Sequence, residues 1–258
     1  MFISNNSARL CTVEFGSGFR VLVAHGGWTG SWELWTGPFS SLSKSWRTIA
    51  YDHRGSGATV APAESISLAS LVGDLFAVLD AYEIEKCVLA GESAGVAVVL
   101  LAALQQPERF EGLVLVDGAY HWPAQAGRNS FVTGLIEDYP AAIGRFVDTC
   151  VPESEPDCTA IRRWGRQILG RAEQAAAIRL YECFFDLDLR SEIHKIIQPA
   201  LVLHGELDAI IPVSESQWLA DNLPSGFLEV IPGAGHVPSV TRAQDVARAV
   251  NRFFLKHE

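Results

Sequence analysis

Basic residues are scarce: the 258-residue chain has 20 Lys and Arg against 30 Asp and Glu, a formal net charge of −10. That charge repels a phosphate backbone, so nucleic acid is not an expected partner. Long apolar runs are also absent. The longest, residues 96–104, is far short of the ~20 residues that span a bilayer, and Asn5, Asn6 and Ser7 follow too little apolar sequence for a secretory leader. No membrane partner is expected, and the expected location is cytoplasmic. The five cysteines (Cys11, Cys87, Cys150, Cys158 and Cys183) form no CxxC pair and no zinc-like spacing with the seven histidines. Neither a metal nor another cofactor is expected. Cys150 and Cys158 flank a short polar segment that a disulfide could close, but free thiols are the expectation in a reducing compartment. No repeat or low-complexity tract appears, which excludes a solenoid.

What is present is a composition of 48% hydrophobic and 19% charged residues, that of a folded domain with a large core. Short runs rich in Val, Leu and Ile occur at 19–24, 48–51, 87–90, 113–116, 201–204 and 227–231 and read as strands buried on both faces. Helix-length segments lie between them. Residues 68–82 carry Leu71, Leu75, Val78 and Leu79 on one face, and 239–257 carry Val246, Val250 and Phe254 in the same way. This alternation predicts an α/β fold, with a mostly parallel sheet and helices on both faces. An N-terminal hairpin over residues 2–15, closed through Gly16-Ser17-Gly18, is expected as its antiparallel edge. The alternation breaks once. Residues 119–198 read as an inserted helical cap rich in aromatic side chains, leaving 1–118 and 199–258 as the core.

The sharpest motif is Gly91-Glu92-Ser93-Ala94-Gly95, between a predicted strand and a predicted helix. So tight a strand-to-helix turn crowds the backbone around its central residue, and glycines two positions either side relieve that crowding. The turn exposes the Ser93 hydroxyl and aims the positive end of the next helix at the same place. A serine hydroxyl is a poor nucleophile at neutral pH and needs a base held in one tautomer. His236, in Gly233-Ala234-Gly235-His236, follows the last predicted strand, and Asp208, in His204-Gly205-Glu206-Leu207-Asp208, follows the preceding one. Both therefore fall at carboxyl ends of parallel strands, where open α/β sheets place their ligand sites. Asp117 ends another strand at that edge and is the rival acid. After the first parallel strand comes His25-Gly26-Gly27-Trp28, which can supply a backbone N–H to an oxyanion. Gly27 and Ala94 are the candidate donors, with Trp28 as an alternative because the extra glycine leaves the register open.

Taken together, these segments resemble the α/β-hydrolase superfamily, in its capped, single-domain branch of carboxylesterases, cofactor-free haloperoxidase-like perhydrolases and C–C bond hydrolases. The resemblance covers essentially the whole chain and includes Asp52-His53-Arg54-Gly55-Ser56-Gly57, although Thr59 stands where serine is common. Before the nucleophile Glu92 replaces a frequent histidine, and Val96 follows Gly95 where a further glycine is common. The resemblance implies a Ser93–His236–Asp208 triad, favouring Asp208 over Asp117 by position, and a small-molecule ester substrate cleaved through an acyl-enzyme. Trp28, His121 and Trp122 are candidate substrate contacts. His25 is expected to shape the oxyanion loop, His204 to lie buried, His53 to bond with Asp52, and Glu92 to hold a structural hydrogen bond. A C–C hydrolase is the first alternative, with Arg162, Arg163 or Arg166 available for a substrate carboxylate; a perhydrolase and a small-molecule receptor on the same fold are the others. Oligomeric state is not readable from these residues.

Overall fold

A computed structural model describes residues 1–122 and 130–255. In chain order the elements are β1 (Phe2–Asn5), β2 (Ala8–Phe15), β3 (Arg20–His25), α1 (Thr36–Leu42), β4 (Trp46–Tyr51), α2 (Leu68–Ala81), β5 (Cys87–Glu92), α3 (Gly95–Gln105) and β6 (Phe110–Val116). There follow α4 (Ser130–Glu137), α5 (Tyr139–Cys150), α6 (Cys158–Leu169), α7 (Gln174–Glu182), β7 (Ala200–Gly205), α8 (Val213–Asn222), β8 (Gly226–Ile231), α9 (Pro238–Thr241) and α10 (Ala243–Leu255). The eight strands form one sheet in the order β1-β2-β4-β3-β5-β6-β7-β8. The β1–β2 and β2–β4 pairs are antiparallel and the remainder parallel.

The period-2 geometry of a strand explains why the central runs are apolar throughout. Leu22, Val88, Val114 and Leu201 face a layer containing Trp35, Trp46, Val250 and Phe254, while Val23, Leu89, Leu113 and Val202 face Leu75, Val99 and Leu100 on the other side. Helix α3 is apolar nearly all round because it is buried nearly all round. Helix α2 starts at a reciprocal Ser67–Ser70 capping box. Helix α10 ends within the described residues at Leu255, and the last two positions of the helix expected over 239–257 lie outside them. Between β6 and β7 the described residues form four α-helices and a short 3-10 helix, Ile193–Lys195, and contribute no strand to the sheet. Residues 123–129 of that segment lie outside the description. No helix among the described residues is long and apolar enough to cross a membrane.

The N-terminal hairpin is closed elsewhere than expected. Its turn is Asn6-Ser7, with Asn6 at φ 49°, and Gly16-Ser17-Gly18 instead carries the chain from β2 to β3. Because β2 pairs with β4 rather than β3, that link must pass hard against the 43–46 backbone. A Cβ at Gly16 would lie 2.3 Å from the Trp46 carbonyl oxygen and one at Gly18 2.0 Å from that of Ser45.

Candidate functional site

Strand β5 runs directly into the Ser93 turn. Ser93 has φ 53°, in the left-handed region that only a tightly constrained turn imposes on a side-chain-bearing residue, and its N–H donates to the Val116 carbonyl (2.8 Å). The flanking glycines are sterically required: a Cβ at Gly91 would meet Val99 Cγ2 at 2.6 Å, and one at Gly95 would sit 2.4 Å from the Gly26 oxygen. The second contact also shows that the 25–28 loop is seated directly against the turn.

From the other end of the sheet, the β7 and β8 loops bring their side chains to Ser93. Its Oγ lies 2.9 Å from His236 Nε2, and His236 Nδ1 lies 2.7 Å from Asp208 Oδ2. A carboxylate only accepts, so Nδ1 carries the ring proton and Nε2 accepts from the Ser93 hydroxyl. Burial pushes the Asp208 carboxyl up, but its bond to His236, the charge of that ring and the Ile211 and Ile210 N–H groups together hold it below the usual carboxylate range. Residues 235–236 are themselves anchored. The His236 N–H donates to the Cys150 carbonyl (2.9 Å), and the Gly235 N–H donates to Glu155 (2.8 Å), which also pairs with Arg242. No local signal marks Glu155, 80 positions earlier in the chain, and reading the sequence alone misses it.

Asp117, the rival acid, does not bond to His236. Its Oδ1 accepts the Gly205 N–H (2.8 Å), its Oδ2 is buried without a partner, and burial together with the Asp208 charge raises its pKa well above the usual value. Asp117, Asp208 and His236 bring ligand-capable atoms within 4.8 Å of one another. His204 is fully buried: Nε2 donates to the Ile211 carbonyl (3.0 Å), leaving Nδ1 to accept from Ser216 (2.7 Å). Glu92 does hold a structural hydrogen bond, accepting from Ser239; its second oxygen is buried without a partner, and the residue lines the cavity shared with Ser93 and His236. Burial raises its pKa to about 7.

In the 25–28 loop, His25 Nδ1 donates to the Gly26 carbonyl (2.7 Å), and burial beside His53 lowers its pKa to about 3, so the ring is neutral. His53 stacks on it and does not bond to Asp52. Asp52 is occupied by the Trp32 and Ala58 N–H groups, while the His53 nitrogens reach the Arg54 and Gly27 carbonyl oxygens, both at 2.9 Å. A Cβ at Gly27 would lie 3.3 Å from Ser93 Cβ and 3.9 Å from its Oγ. Among the described residues, the N–H groups of Gly27, Trp28 and Ala94 have no acceptor.

Two cavities open at Ser93. The smaller, about 60 Å³, is walled by Leu34, Val147, Ile161, Trp164 and Val240 together with Glu92 and His236. The larger, about 450 Å³, is bounded by Trp28, Trp122, Phe131, Phe146, Tyr181 and Phe184, with Tyr120, His121 and Glu215 at one corner. All three residues read from sequence as substrate contacts, Trp28, His121 and Trp122, therefore line it. Trp28 is clamped by donating its indole N–H to the Ala177 carbonyl in α7 (2.8 Å). Arg162 and Arg166 face Asp148 and Arg163 is exposed, so none of the three lines either cavity. All five cysteines are free.

A family model described as the alpha/beta hydrolase family matches residues 21–249. Among curated relatives, the chain is 30% identical over 235 residues to a pimeloyl-[acyl-carrier protein] methyl ester esterase of Nitrosomonas europaea, covering 86% of this chain and 90% of that protein. It is 23% identical to karrikin insensitive 2 receptor IA of Petunia hybrida, covering 97% and 96%. Of solved structures, a bromoperoxidase from Bacillus anthracis superposes with a TM-score of 0.91 at 22% identity, covering 99% of both chains.

Proposed function

Because the chain belongs to the alpha/beta hydrolase family, we propose that it is a serine hydrolase that cleaves carboxylic esters through an acyl-enzyme. The observation that carries this reading is the continuous hydrogen-bonded run from Ser93 Oγ through the His236 ring to Asp208. Ser93 Oγ attacks the ester carbon and its proton passes to His236 Nε2, while Asp208 stabilises the imidazolium. The charge that develops on the carbonyl oxygen is received by the Ala94 and Gly27 N–H groups. Gly27 is preferred to Trp28 because it lies against the nucleophile. Collapse of the intermediate expels the alcohol, which takes the proton from Nε2. A water then repeats the sequence in reverse roles, releasing the acid and restoring Ser93. The described residues of the 119–198 segment serve as a cap over the larger cavity, an assignment supported by Phe131, Phe146 and Tyr181, whose rings pack on Trp28.

Esters are favoured over a diketone C–C substrate because, among the described residues, no arginine lines either cavity to hold the substrate carboxylate. The relative named as a methyl ester esterase points the same way. Kinetics on p-nitrophenyl esters of increasing acyl length test the reading. Ser93→Ala is expected to lower kcat by roughly 10⁴–10⁶-fold with the thermal unfolding profile preserved. A variant that keeps near wild-type turnover refutes it.

A further inference from the structure

The larger cavity combines two features that a receptacle for a plain alkyl chain does not need together. Its wall is built from six aromatic residues, Trp28, Trp122, Phe131, Phe146, Tyr181 and Phe184, and an aromatic ring attracts a cation that lies over its face. At one corner, in the first turn of α8, sits Glu215, the only carboxylate among the described residues that line the cavity. Among the described residues, neither lysine nor arginine joins it there. Arg190, the nearby cation, is committed to Asp188 through bonds of 2.6–3.1 Å.

The polarity of this corner is one-sided. Tyr120 donates its hydroxyl proton to Glu215 Oε2 (2.8 Å), and His121 Nε2 lies 3.0 Å from the same atom. Tyr120 is fixed in turn by stacking on Trp218. These two donors of the corner are thereby engaged by Glu215, whose carboxylate gives the corner itself acceptor capacity and negative charge. An anionic ligand would meet repulsion. A cation would meet a carboxylate at this corner and a largely aromatic wall elsewhere, within a chain of net charge −10 that attracts cations from a distance.

We propose that this cavity seats an organic cation, so that the preferred substrates are esters carrying a quaternary or protonated tertiary ammonium within about 450 Å³ of space beside Ser93. The proposal rests on the ester-hydrolase reading above for its reaction, but not for its binding.

The test compares kcat/KM for two pairs of esters that differ only by N⁺ against C: a trimethylammonioethyl and a 3,3-dimethylbutyl ester, with the charge in the alcohol, and methyl 4-(trimethylammonio)butanoate against methyl 5,5-dimethylhexanoate, with it in the acyl part. In at least one pair the cation is expected to be favoured by about tenfold or more. Glu215→Gln, and separately Trp122→Leu, should each shrink that ratio by about threefold or more. Neutral esters turned over with no cationic advantage in either pair, or an advantage unmoved by both substitutions, overturn the proposal and leave the ester-hydrolase reading standing. If no ester is cleaved, that reading fails, and binding decides the cation proposal. Tetraethylammonium chloride should raise the Tm above that in equimolar sodium chloride for the wild type and not for Glu215→Gln. Equal Tm values in the two salts overturn it.

Discussion

Three buried carboxyl groups surround His236, and their surroundings drive them to different states. Asp208 is held charged by the hydrogen bonds it accepts, whereas Asp117 and Glu92 are pushed up by burial without enough donors to compensate. Carboxyls separated in this way suit different roles: the depressed one stays charged beside the His236 ring, and the raised ones keep their protons to higher pH. Glu92 has the clearest consequence for stability. Its folded-state pKa of about 7 stands above the ordinary 4.5, so its contribution is fully present below 4.5 and is lost as pH rises through about 7. A shift of that size corresponds to ~3 kcal/mol. Glu92→Gln keeps an acceptor for Ser239 and removes the ionisation. Urea unfolding at pH 5 and pH 8 should therefore show a smaller fall in stability for the variant than for the wild type. An identical fall in both would show that Glu92 does not titrate in this interval.

At the scale of elements, the β5–turn–α3 unit and the 25–28 loop behave as one piece because Gly95 lets the two backbones touch. Replacing Gly95 by Ala puts a methyl group 2.4 Å from the Gly26 oxygen, which cannot move without displacing the Gly27 N–H beside Ser93. The variant is expected to lose ~1–3 kcal/mol of stability and about 10²-fold in kcat, as measured by thermal unfolding and ester kinetics. Unchanged kcat would separate that loop from the chemistry. Glycine punctuation alone made this turn legible, since no other residue fits at either position flanking it. The same signal misled at the N-terminal edge. Gly16 and Gly18 read as a hairpin turn, but their glycine requirement comes from crossing the 43–46 backbone, a contact that depends on β2 pairing with β4. Long-range strand order leaves no local mark in the sequence.

Across the whole molecule, the parallel sheet explains why three residues spread over more than a hundred positions meet at one place. Ser93 directly follows β5, Asp208 and His236 lie in the loops after β7 and β8, and parallel strands deliver their carboxyl ends to one edge. What lies over that edge was far less legible, because it depends on how α4–α8 are rotated above the sheet. Trp28, His121 and Trp122 were readable as neighbours of strand ends. Glu155 and Glu215 were not, since nothing in their local sequence separates them from solvent-facing carboxylates, and Arg162 and Arg166 turned to Asp148 instead of the cavity. The central claim remains the activation of one hydroxyl by one imidazole. It is tested most directly by incubating the protein with a p-nitrophenyl phosphonate and mapping the adduct by peptide mass spectrometry while following ester turnover. A single adduct on Ser93, formed in step with loss of activity and absent from His236→Ala, is the predicted result. Modification at another residue, or full activity with Ser93 occupied, would contradict it.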